Sequence, residues 1–164
     1  MGLQSLPAKD REAVLAFQEK AGELQRVMEG ANAAANEARR RLKFIKKALL
    51  DTPKADPRWG DEARALEKRL LDIGMKIYGD PTLYNRNEPR SPSLMDRVGA
   101  QVDATTGITN TTKRNYDIAA DEFEKLLEEL RQVIETDLKK LEEKLEAAGA
   151  PWTPGRGVPK WKKD

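Results

Sequence analysis

Cysteine and histidine are both absent from this 164-residue chain. Their absence excludes disulfide bridges, nucleophile–base pairs built on a thiol or an imidazole, and zinc sites made from those ligands. Apolar runs stop after a few residues, far short of the roughly 20 that a membrane-spanning helix needs. For the same reason the N-terminus carries no apolar core of a signal peptide. Met1-Gly2 misses the myristoylation pattern, because position 6 is Leu rather than Ser or Thr. An excess of one charge sign is missing too: Lys plus Arg is 30, Asp plus Glu is 28, and the net charge is +2. That balance argues against a dedicated nucleic-acid binder. Aromatic residues are scarce, at 5% of the chain, while charged residues reach 35%, the composition of long solvent-exposed helices.

What is present is periodicity. Read every three and four residues, Val14, Phe17, Ala21, Leu24, Met28, Ala31, Ala35, Ala38, Leu42, Ile45 and Leu49 are all apolar. Strand alternation fails here, since Glu19-Lys20 and Arg39-Arg40-Arg41 would charge both faces. The walk predicts one helix over about 8–51, roughly 65 Å long, with a single apolar seam. Gly30, Ala31, Ala33, Ala34, Ala35 and Ala38 put small side chains along its middle and predict the closest helix approach there. Thr52-Pro53 ends it, because the residue before proline is pushed out of the helical region.

Asp56-Pro57 reads as N-cap and first turn of a second helix, 57–78, with Trp59, Ala63, Leu66, Leu70, Ile73 and Ile77 on its seam and Gly79 as its left-handed cap. Residues 80–92, with three prolines, are expected to form an ordered but irregular strap anchored by Leu83 and Tyr84. Ser91-Pro92 is read as cap and first turn of a short helix over 93–103, followed by a loop at 104–111. A last long helix is predicted over 112–148, closed by Gly149 in a Schellman motif. The tail 150–164 is extended by its prolines, and its tryptophans are expected to pack back. The predicted fold is all-α, one domain over 1–164. It is an elongated up-down-up bundle of two long helices, a broken middle helix and the Pro-rich strap. Its core is expected to contain Phe17, Leu24, Met28, Leu42, Ile45, Leu66, Leu70, Ile73, Phe123, Leu130, Ile134 and Leu141.

Three groups of residues invite a functional reading. The basic run Arg39, Arg40, Arg41, Lys43, Lys46, Lys47 fits an anion patch, or a solvated face near a helix C-terminus where cations suit the dipole. Asp121, Glu122, Glu124, Glu128 and Glu129 fit a metal or acid–base set, but no Glu-x-x-His pair accompanies them. They and the pair Glu142 and Glu146 are expected at the surface. With no Gly-rich phosphate loop either, no catalytic residue, cofactor or metal ligand is expected. The third group, Tyr84, Arg86, Asn87, Arg90, Trp152, Arg156 and Trp161, mixes aromatics with guanidinium groups, as packed loops and binding surfaces both do. It is the candidate interaction surface.

The segments GDPTLYNRNEPRSPSLMDRVG, TTKRNYDIAADEF and LRQVIETDLKKLEEKLEAAGAPWTPGRGVP resemble the helical C-terminal tail of large bacterial β-propeller proteins with Asp-box repeats. Those proteins are labelled sortilin-like or glycosyl-hydrolase-like. FQEKAGELQRVMEGANAAANEARRRLKFIKKAL is similar to their region just after the propeller. No Asp-box repeat occurs here, so no catalytic residue carries over. The resemblance implies a non-catalytic accessory domain of a periplasmic or secreted protein, partnered by the propeller of the same polypeptide or by another protein. The dense Lys/Glu surface also fits a free-standing bundle, stabilised or designed, that acts as a protein-binding module.

Overall fold

The computed structural model describes residues 8–102 and 107–163, and among them every regular element is a helix. Helix α1 spans Ala8–Leu50, α2 Arg58–Tyr78, α3 Pro81–Asn85, α4 Leu94–Val102 and α5 Asn110–Arg131. A π-helical segment, Gln132–Leu138, leads directly into α6, Lys139–Ala147. The expected Met1-Gly2 start, residues 104–106 of the predicted loop and the end of the third predicted helix at residue 103 lie outside the described residues.

The helix ends follow local chemistry. The Thr52 hydroxyl donates to the Ala48 carbonyl at 2.7 Å as α1 ends. The Asp56 carboxylate accepts the Arg58 N–H at 2.9 Å at the head of α2. The Arg58 side chain also binds it, and together they hold the Asp56 carboxyl down to about 2. Gly79 closes α2 with φ +88°. Gly149 closes α6 with φ +71°. There the Ala150 N–H donates to Leu145 at 3.0 Å and the Gly149 N–H to Glu146 at 3.1 Å, the two bonds of a Schellman motif.

Three local expectations are corrected. The proline-rich strap is not wholly irregular: Pro81 sits where a first-turn N–H has no partner anyway, and the Asp80 carboxylate caps α3 by accepting from Thr82 N–H at 2.8 Å. The cap of α4 is Ser93, not Ser91. Its hydroxyl accepts from the Asp96 N–H at 3.1 Å while Asp96 accepts from the Ser93 N–H at 2.9 Å, a reciprocal capping box. The last long helix begins at Asn110 rather than Thr112, with the Thr109 hydroxyl accepting from the Thr112 N–H.

The chain forms two compact units. The first takes its described residues from Met1–Asn32 and Met75–Leu127. Its core holds Ala21, Met28 and Ala31 of α1, Ile77 of α2, Leu94 and Val98 of α4, and Ala119, Phe123 and Leu126 of α5. Phe17 and Leu24, expected in the core, are half-buried. Phe17 meets Tyr116 edge-on with ring centres 5.6 Å apart, and the Lys20 ammonium lies 4.3 Å from the same ring.

The second unit takes Ala33–Gly74 and the described part of Glu128–Asp164. Ala35, Ala38, Leu42, Ile45 and Ala48 of α1 are buried with Ala63, Leu66, Leu70 and Ile73 of α2, and with Leu130, Val133, Leu138, Leu141 and Leu145 of the last helical run. Of the small residues at the middle of α1, Ala31, Ala35 and Ala38 are buried, but Gly30, Ala33 and Ala34 are exposed. Nothing lies within 4 Å of where a Gly30 side chain would start, so no backbone approaches there.

Candidate functional site

The strap belongs to the first unit. Tyr84, expected as an anchor, is 72% exposed, while Leu83 is half-buried. Helix α3 explains this: its five residues bury none of their own, and Tyr84 lies on its open side. The Arg90 guanidinium sits 5.9 Å from the Tyr84 ring centre and binds Asp96 at 2.7 Å, so it links the strap to the head of α4. Arg86 is exposed, 3.9 Å from Glu88. Asn87 has φ 53°, the left-handed turn after α3 that asparagine tolerates better than most residues. The Thr82 hydroxyl and N–H hold the Asp80 carboxyl below its ordinary range.

The tail belongs to the second unit, and it docks differently from expectation. Trp152 and Trp161 were expected to pack back, yet they are 55% and 82% exposed. Ala150 and Thr153 are buried in their place, and so is the Arg156 side chain. Arg156 donates to the Pro151 carbonyl at 2.6 Å, the Ala150 carbonyl at 3.2 Å and the Glu146 carboxylate at 3.0 Å. It therefore staples the tail both to itself and to α6. Gly155, at φ +95°, lies against the Arg41 guanidinium so closely that a side chain there would collide with it.

Beneath this lies an ion pair. Arg41 of α1 donates to both oxygens of Glu142 on α6, at 2.6–2.9 Å. Glu142, expected at the surface, is buried. The tail thus docks on a polar platform that takes glycine and guanidinium better than indole, because the apolar seam of the unit is already covered by helices. The signal for this was the Gly155-Arg156 pair, not the tryptophans.

Trp152 is exposed but not loose. Its indole Nε1 donates to the Gly157 carbonyl at 2.6 Å. It edges a groove of about 260 Å³ lined by Glu142, Glu143 and Glu146 of α6 and by Trp152, Val158, Pro159 and Lys160 of the tail, among others. A second groove, about 420 Å³, opens where α1 ends, lined by Leu49, Leu50, Pro57 and Arg64 among others. Sequence periodicity did not single out Leu50, which lies off the apolar walk.

The seven candidate residues therefore divide. Tyr84, Arg86, Asn87 and Arg90 cluster on the strap, whereas Trp152 and Arg156 cluster on the tail and Trp161 stands without a partner among the described residues. Half of the basic run is neutralised: Arg40 pairs with Glu37, Arg41 with Glu142 and Lys46 with Glu67. Glu129 of the acidic run pairs with Arg69 at 3.5 Å, and Asp121, Glu122, Glu124 and Glu128 are exposed. Among the described residues no cluster of three or more carboxylates converges to hold a metal ion. None of the described helices is long and apolar enough to cross a membrane. Compared with known proteins, the chain is matched by no family model, no curated protein and no solved structure.

Proposed function

We propose that the chain is a non-catalytic helical interaction domain that recognises a folded protein through the tail groove. The single observation behind this reading is Trp152: a large aromatic, half in water, yet fixed by Gly157 on a segment stapled by Arg156. A rigid aromatic beside a concave surface loses little conformational freedom on binding, and tryptophan and arginine dominate the energetic centres of interfaces. The resemblance to the helical tail of Asp-box propeller proteins makes the propeller of the same polypeptide the first partner to try, in an extracytoplasmic setting.

Calorimetric titration of the domain with that propeller tests the reading. Saturable binding is expected, weakened roughly 30-fold or more by Trp152→Ala, as for a residue at an interface centre. No heat of binding, or full affinity in the Trp152→Ala protein, would remove the proposal. A propeller encoded immediately upstream favours the accessory-domain form of it; a free-standing reading frame favours an independent binding module.

A further inference from the structure

Past Arg156 the tail changes character. Every residue from Gly157 to Lys163 is exposed, with Val158 at 89% and Trp161 at 82%. Lys160, Lys162 and Lys163 have no ion-pair partner among the described residues, whereas Arg156 is taken by Glu146 and Lys144 by Glu62. The segment V-P-K-W-K-K contains no acid. It presents three lysines, unpaired among the described residues and followed in sequence by Asp164, interleaved with Val158 and Trp161 on a segment held at its base by Arg156 and Thr153.

We propose that residues 158–163 are a peripheral attachment site for an anionic lipid surface. The lysines meet the negatively charged headgroups, and Trp161 and Val158 enter the interfacial layer, where the amphipathic indole is favoured. Charge complementarity selects an anionic occupant. Trp161, Lys162 and Lys163 line neither groove and stand exposed, which selects a bilayer over an acidic protein: a protein interface centre needs a pocket to receive Trp161, whereas a bilayer adapts its own surface. Lys160 shares the tail groove with Glu143, so Lys162 and Lys163 are the cleaner carriers of the effect. Val158 and Lys160 also line the Trp152 groove, so the proposal rests chiefly on Trp161, Lys162 and Lys163, which line neither groove.

Co-sedimentation of the full chain with vesicles tests it. Binding is expected to vesicles of phosphatidylcholine mixed with phosphatidylserine and not to phosphatidylcholine alone. Each lysine replaced by glutamine should lower the partition coefficient roughly fivefold, and the triple variant on the order of a hundredfold. Trp161→Ala should weaken binding and remove a blue shift of tryptophan fluorescence. Raising salt should release the unmodified protein, a measurement that depends on no variant. The proposal is overturned by an absence of binding to the mixed vesicles, by equal binding to neutral ones, by indifference to salt, or by a triple variant that binds unchanged. Binding to a polyglutamate peptide but not to the mixed vesicles would also overturn it and assign the segment to an acidic protein.

Discussion

Arg41 and Glu142 stand 101 residues apart in sequence and make a bidentate ion pair at 2.6–2.9 Å. Their side chains are only 17% and 7% exposed. The pair joins α1 to α6 and forms the floor on which Gly155 rests. Removing one partner leaves the other charge buried without compensation. Glu142→Ala should therefore cost about 3–5 kcal/mol in urea unfolding, whereas the double change Arg41→Met with Glu142→Leu should be near neutral. A single variant within a few tenths of the unmodified protein would contradict the burial described.

Gly155 gives a second test. It combines a left-handed φ of +95° with the Arg41 guanidinium in the space a side chain would fill. Gly157 is also left-handed, at +73°, but faces open space. Gly155→Ala should cost about 1–3 kcal/mol more than Gly157→Ala, since the latter adds backbone strain alone. Equal effects in thermal melts would mean that the tail does not dock on Arg41.

Leu70 and Leu71 are sequence neighbours with opposite fates: Leu70 is fully buried in the second unit, and Leu71 is 41% exposed. Leu70→Ala should cost about 2–5 kcal/mol through lost burial and a residual cavity. Leu71→Ala should stay within about 0.5 kcal/mol, as surface changes do. Urea melts of the two proteins read the register of α2 directly.

Asp56 carries a pH signature. Hydrogen bonds from the Arg58 side chain and N–H lower its carboxyl to about 2, below the value of roughly 4 in an unfolded chain. A depressed carboxyl favours the folded state above the unfolded value and loses that advantage as pH falls through the folded one. The difference in melting temperature between the unmodified protein and Asp56→Ala should be full near neutrality and shrink as pH drops from about 4 toward 2. A difference that stays constant across that window would show that Asp56 acts only through its backbone.

The helices were legible in the sequence because their causes are local. A three-four apolar walk, Asp56 before Pro57, and Gly79 and Gly149 after their seams act over a turn or two, so local signals placed α1, α2 and the two ends of the last helical run, Asn110 to Ala147, within a residue or two of where they lie. Helix α3 was not legible in this way, because the strap's prolines read as helix breakers although Pro81 occupies the one turn that tolerates them. Nor was the π-helical turn at Gln132–Leu138, where no Pro or Gly interrupts a regular seam. That turn leaves Val133 and Leu138 buried, five residues apart, with Ile134 half-buried. It also lets Gln132 reach Asp137 at 3.1 Å, while Asp137 in turn receives Arg69 of α2 at 2.9 Å.

Only the tertiary structure decided which polar residues went inside and which aromatics stayed out. Glu142 reads as a surface acid in any helical wheel and becomes buried because Arg41, a hundred residues away, arrives to neutralise it. Trp152 and Trp161 read as anchors and remain exposed because the place the tail reaches is already occupied by charge. Burial of a charge depends on the partner that meets it, and docking of a tail depends on the surface that receives it. Both are properties of juxtaposition, which the spacing of residues along one chain does not encode locally.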